Sequence, residues 1–169
     1  MQEYEMLDNI KAHSLVVERV AGIVARGLQE TGEDISLEKV TAGALMHDIG
    51  KTLCLKSRGD HAAKGSEICL QNNLNEIADI VAEHVRLKSY HPDRSIHEKE
   101  IVYYADKRVN HDKVVSLEER LQYILMRYGR NRDNLQKLMR ENFDLCKKIE
   151  KRLFAKLHFG PDELASIIE

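Results

Sequence analysis

The sequence predicts an all-α fold, and three observations carry that prediction. Apolar residues recur at helical spacing along most of the chain, no alternating run longer than a few residues reads as a strand, and only 2 Pro and 9 Gly interrupt 169 residues. An aromatic content of 5% with no Trp points the same way, because sandwiches and barrels draw on aromatic and β-branched residues. A chain of this length is long enough for one domain with a real core and too short for two large ones.

The elements follow in order. From Glu5 to about Leu28 the stripe Val17, Val20, Ala21, Val24, Leu28 marks a helix, and Gly32, Asp34 and Ser36 stop it and cap the next. The second helix should run from about Leu37 to Asp48 and close on Gly50 in a left-handed conformation. Residues 51–60, containing LKSRGD, read as a polar connection, followed by a helix from about His61 to Gln71 that Asn72 and Asn73 terminate. Another helix is expected from Leu74 to about Arg86, then a loop, KSYHPDRS, in which Pro92 opposes continuation. Further helices should span Glu98 to Val109, Leu117 to Tyr128, and Asp133 to about Leu157, the last carrying Leu135, Leu138, Leu145, Ile149 and Leu153. Gly160-Pro161 ends it and leaves a short terminal helix. There is no repeat, low-complexity tract or linker, so the expected organisation is a core over residues 1–126 with C-terminal helices over 127–169 packing on it.

Lys plus Arg number 26 against 28 Asp plus Glu, a formal charge of -2 that argues against a wholesale nucleic-acid binder. The balance is an average over unlike segments. Residues 127–156 hold 10 basic against 4 acidic residues, while residues 1–126 hold 16 against 21. The basic helix is most simply a solvated face; a rim for an anionic substrate or a partner surface are the functional alternatives, and the lack of interleaved Trp or Phe weakens single-strand binding. No window approaches 18 uncharged apolar residues, and the acidic, polar start MQEYEMLDNIKAH is unlike a signal peptide, so a cytoplasmic protein without a membrane partner is expected. Cys54, Cys69 and Cys146 are odd in number and widely spaced, which predicts buried free thiols rather than a disulfide framework or thiolate zinc site.

Metal-capable side chains stand on the apolar stripes. His13 leads into Val17 and Val20, His47 follows Val40 and Ala44, His61 precedes Gly65 and Ile68, and His84 follows Ile77, Ile80 and Val81. Each is expected to face inward. Asp48 follows Ala44 and Leu45, and Asp106 sits with Val102, Ala105 and Val109, so two carboxylates are also directed at the core. A buried carboxylate costs several kcal/mol unless it is paired or coordinates a metal. Any one of these residues has an ordinary explanation as a hydrogen-bonded core histidine, an ion pair or a cap. Four His and two Asp spread over five helices are hard to explain that way, and an imidazole and carboxylate set without thiolate suits Fe, Mn or Zn. His91, His97 and His111 lie in polar stretches and read as exposed; His111-Asp112 lacks an apolar lead-in and reads as a coincidence.

The string His47-Asp48-Ile49-Gly50-Lys51, with His13 upstream, His61 in HAAKGSEI, His84 in AEHVR and Asp106 in YADK, resembles the HD-domain metal-dependent phosphohydrolases over residues 10 to 110. The resemblance implies an all-helical bundle of the HD-domain type and a two-metal site. His13, His47, Asp48 and Asp106 would hold one ion, and Asp48, His61 and His84 the other, with Asp48 bridging. The ions would be divalent, Fe or Mn in preference to Zn, Mg, Ni or Co. The contexts of these motifs look most similar to bacterial symmetrical diadenosine-tetraphosphate hydrolases, and the absence of a paired HH followed by GYP sets the cyclic-dinucleotide branch aside.

The implied chemistry is hydrolysis of a phosphate ester or phosphoanhydride of a nucleotide or other small-molecule phosphate by metal-activated water. Asp48 and Lys51 would be catalytic, Lys51 also holding phosphate. Arg58, Lys64, Arg86 and Lys88 fall near the expected site and are the other candidates for substrate phosphates. The alternative is a non-catalytic metal- and nucleotide-binding module that senses or docks. A nucleic-acid partner is disfavoured, and a homo-oligomer is left open.

Overall fold

In the computed structural model, which describes residues 3–57 and 59–168, helices α1 (Asp8–Glu30), α2 (Leu37–Met46), α3 (Lys51–Ser57), α4 (His61–Gln71), α5 (Ala78–Glu83), α6 (Glu98–Lys107), α7 (Leu117–Tyr128), α8 (Asp133–Phe154) and α9 (Leu164–Ile168) make up nearly all the regular structure. One small antiparallel ladder pairs Val109–Asn110 with Lys113–Val114. The all-α expectation holds.

Helix α1 is the central element, packed against α2 and α6. Its stripe Val17, Val20, Ala21, Val24, Leu28 is fully buried and joins Val40, Ala44, Ile101, Val102 and Tyr104 in the main core. The α1–α2 corner is as expected: Gly32 takes φ +88°, and the Ser36 hydroxyl accepts the Lys39 amide at 3.3 Å. Asp60 caps α4 similarly, accepting the Ala62 and Ala63 amides at 2.9 and 3.2 Å.

Three local expectations are corrected. Residues 51–57 are helical rather than a polar connection, because the chain turns tightly through residues 47–50 and the Cys54 amide bonds the Gly50 carbonyl to start α3. The helix expected over Leu74 to Arg86 is a 3-10 turn at Asn75–Ile77 followed by α5, which stops at Glu83. Gly50 is not a left-handed cap. A Cβ there would lie 2.5 Å from the His61 carbonyl oxygen and 2.7 Å from the Gly65 nitrogen, so glycine is required by the close approach of α4.

Helix α8 packs on α6 and α7. Arg108, buried at the end of α6, ties the C-terminal segment to the core. Its guanidinium donates to Tyr104 Oη at 2.6 Å, Glu150 at 3.1 Å, the Val115 carbonyl at 2.7 Å and the Pro161 carbonyl at 2.9 Å. Tyr103 Oη donates to the Asn142 carbonyl at 2.7 Å, a second tie between α6 and α8. No helix among the described residues is long and apolar enough to cross a membrane.

Candidate metal centre

Five elements each bring metal-capable side chains to one point. His13 comes from the second turn of α1, His47 and Asp48 from the turn after α2, His61 from the first residue of α4, His84 from the residue that ends α5, and Asp106 from the last turn of α6. His13, His47, Asp48 and His84 are buried. The His61 side chain is 28% exposed and forms the open side, while its Nε2 faces the centre as expected.

The two carboxylate oxygens of Asp48 face two different groups. Oδ2 lies 3.5 Å from His47 Nε2, while Oδ1 lies 3.3 Å from His61 Nε2 and 3.6 Å from His84 Nε2. Asp106 Oδ1 is 3.0 Å from His13 Nε2 and 3.7 Å from His47 Nε2. Two clusters therefore meet at Asp48: His13, His47 and Asp48 on one side, with Asp106 beside them, and Asp48, His61 and His84 on the other.

Local backbone geometry sets the imidazoles. His47 and His84 each donate Nδ1–H at 2.7 Å to the carbonyl three residues back, of Ala44 and Val81, using helix-end carbonyls that have no intrahelical partner. Both rings are thereby fixed with Nε2 directed at the centre. His13 Nδ1 is likewise 2.8 Å from the His111 carbonyl. The arrangement fits a cation by its unmet polar groups: His47 Nε2 and Asp48 Oδ1 are buried and have no hydrogen-bond partner among the described residues. A buried polar atom left unpaired costs about 1–3 kcal/mol, which coordination would remove.

The electrostatics are those of a concentrated anionic site. Burial raises the Asp48 and Asp106 carboxyl pKa values, but facing imidazoles, joined by Lys107 at Asp106, hold both well below the ordinary carboxylate value. Burial lowers the His84 pKa. Burial also opposes charge on His47, yet Asp48 and Asp106 raise it overall. Lys107, itself buried, donates to the His84 carbonyl at 2.8 Å and to the Tyr103 carbonyl at 3.3 Å, which fixes the end of α5 against α6.

Lys51 Nζ donates to Asp48 Oδ2 at 2.7 Å and lines two openings onto the centre. The other proposed phosphate contacts are less uniform. Lys64 Nζ is taken up by Glu67 at 2.9 Å and Lys88 is exposed; neither lines those openings. Arg86 lines an adjoining cavity that includes Asp106, and Arg58 lies outside the described residues. Cys54 is only partly buried and lines one opening, so it is not the sequestered thiol expected.

Two residues at the centre escaped the sequence reading. His111 is exposed, as expected, but it is no bystander: at φ 57° it turns the small hairpin so that its carbonyl meets His13. Arg120 of α7 lines both openings as well as the adjoining cavity. The signal was present, since Arg120 stands three residues after Leu117 and four before Ile124, a charge on an apolar stripe.

Comparison with known proteins accords with this geometry. Ribonuclease Y of Campylobacter curvus is 48% identical over 61 residues, covering 36% of this chain and 11% of that protein. Ribonuclease Y of Acetivibrio thermocellus is 35% identical over 77 residues, covering 45% and 14%. An uncharacterized protein of Methanocaldococcus jannaschii is 25% identical over 154 residues, covering 82% and 88%. The chain thus spans only a small part of the length of the two Ribonuclease Y proteins. No solved structure gives a significant match. These relatives give no support to the diadenosine-tetraphosphate hydrolase branch expected from motif contexts. Residues 10–110 match the HD domain, and the chain belongs to that family.

Proposed function

We propose that the protein is a metal-dependent phosphohydrolase acting on a phosphate ester or phosphoanhydride of a nucleotide. The observation that carries this reading is the division of Asp48 between two imidazole clusters, with Oδ1 and His47 Nε2 buried and unpartnered. His13, His47, Asp48 and Asp106 would hold one divalent ion, and Asp48, His61 and His84 a second, with Fe or Mn best suited to the donor set. When bound, such ions supply the positive charge that acidifies a water and neutralises a phosphoryl group.

The chain's own groups prepare that chemistry. His47 and His84 are oriented by the Ala44 and Val81 carbonyls, so their Nε2 atoms need no rearrangement. Lys51 Nζ, 2.7 Å from Asp48 Oδ2, places a cation at the mouth where phosphoryl oxygens enter. Hydrolysis exchanges the P–O bond to the leaving group for one to water oxygen, and a proton from that water ends on the departing oxygen. The name Ribonuclease Y specifies RNA as the substrate of those relatives, which supports a nucleotide phosphate as the substrate class here.

The test is metal analysis of anaerobically purified protein, followed by phosphatase and phosphodiesterase panels in Mn and Fe. His47→Ala and Asp48→Ala should remove metal and turnover together. Turnover that survives both substitutions overturns the reading, and tight nucleotide binding without turnover would favour a sensor module instead.

A further inference from the structure

Arg120 stands where three cavities meet. Two are the openings onto the metal centre, and the third is a separate pocket of about 330 Å³ between α7 and α8. Pockets of roughly 300–1,000 Å³ are the size that small-molecule ligands occupy. The walls of this one are Ile124, Leu135, Leu138, Met139 and Phe143, and it reaches the metal centre along Asp106 and Arg120. At its rim Val85 and Leu138 leave 41% and 47% of their surface exposed, an apolar lip open to solvent among the described residues.

Basic side chains outnumber acidic ones around the pocket. Arg86, Lys107 and Arg120 line it, and its single carboxylate, Asp106, is engaged by His13. Among the described residues Arg120 itself makes only neutral contacts: Nη1 donates to Asn110 Oδ1 at 2.7 Å, and the guanidinium lies 5.6 Å from the Tyr123 ring centroid. Its Nε is buried without a hydrogen-bond partner, although a guanidinium is built to donate in pairs to an oxyanion. The pocket amide is partly committed: Asn142 Nδ2 donates one N–H to the Val85 carbonyl at 3.0 Å, and Oδ1 lies 2.8 Å from Tyr103 Oη, whose proton it shares with the Asn142 backbone carbonyl. Five apolar side chains against one amide make shape and apolar surface the main selector in this pocket.

On the phosphohydrolase reading above, we propose that Arg120 binds the substrate phosphate at the metal centre and that the α7–α8 pocket receives the flat nucleoside portion attached to it. Arg120 joins the two subsites, and the C-terminal helices then set which phosphate esters the HD core accepts.

The experiment compares adenosine monophosphate with glycerol phosphate as substrates of Mn-loaded wild type, Arg120→Gln, Arg120→Lys and Met139→Trp, with metal content and folding checked for each. Arg120→Gln should lower kcat/KM for both substrates by on the order of 100-fold while metal content stays at the wild-type level, and Arg120→Lys should recover part of the loss. Met139→Trp fills the pocket, so the ratio of kcat/KM for adenosine monophosphate to that for glycerol phosphate should fall about tenfold or more. An unchanged ratio, or full activity in Arg120→Gln, overturns the proposal. If wild type turns over neither substrate, the phosphohydrolase reading fails for these esters. Calorimetric binding of adenosine monophosphate to the Mn-loaded protein then decides the pocket separately: loss in Arg120→Gln and Met139→Trp supports it, and wild-type affinity in both, or no binding to wild type, overturns it.

Discussion

His47 and His84 are held by one device used twice: each ends a helix, donates Nδ1–H at 2.7 Å to the carbonyl three residues back, and turns Nε2 toward Asp48, the ring centroids 4.9 Å apart. The two rings nevertheless face different oxygens of Asp48, His47 toward Oδ2 and His84 toward Oδ1. That split makes the two clusters separable by mutation.

His61→Ala with His84→Ala should therefore take bound metal from two ions per chain to one, read by elemental analysis of protein loaded with Mn. Asp48→Asn should lower both occupancies. Chelation of wild type should reduce the unfolding midpoint, because a ligand at a hundredfold excess over its Kd adds about 2.7 kcal/mol per site to the folded state. Two ions retained in the double variant would show that the second cluster is not a ligand set.

Gly50→Ala tests the close approach of α4 to the turn after Asp48. The new methyl would fall 2.5 Å from the His61 carbonyl oxygen, a backbone atom that can yield only by moving the helix. Overpacking of this kind costs about 1–3 kcal/mol. Urea denaturation should report a loss in that range, and metal affinity should fall with it because His61 moves.

Arg108→Ala removes a buried cation with four separate acceptors and leaves Glu150 and the Tyr104 hydroxyl facing each other alone. Breaking a buried pair by deleting one partner costs about 3–5 kcal/mol. Chemical denaturation should show this loss. Proteolysis should begin in the segment after α8, which Arg108 ties down through the Pro161 carbonyl.

The thiols should separate by accessibility. Cys69 and Cys146 are fully buried, and burial pushes the Cys146 thiol up to about 12. At pH 8 it is almost entirely protonated in the folded state and carries no nucleophile. Titration with a disulfide reagent should modify Cys54 quickly in native protein and all three cysteines after unfolding. Raising the pH to 9 should leave Cys146 protected.

The sequence by itself determined most of the helices and the residues able to hold metal, because both are written in short-range spacing. The α1 stripe is buried as its period requires, and the bounds of α4 and α7 fall where Asp60, Asn72 and Ser116 place them. The ordered series of His13, His47, Asp48, His61, His84 and Asp106 was legible for the same reason: each sits on or beside an apolar face, where an ionisable side chain needs a partner. What only the tertiary structure decided depends on contacts between residues far apart in the chain. Helix α3 begins because the turn through residues 47–50 fits beneath α4, and Gly50 is needed by the approach of the His61 carbonyl rather than by its own torsion angles. The assignment of the two Asp48 oxygens to two clusters, the use of the His111 carbonyl by His13, and the presence of Arg120 at the centre all follow from how five helices and a hairpin converge. Periodicity fixes which face of a helix is buried, while the packing of other helices against that face fixes what it meets.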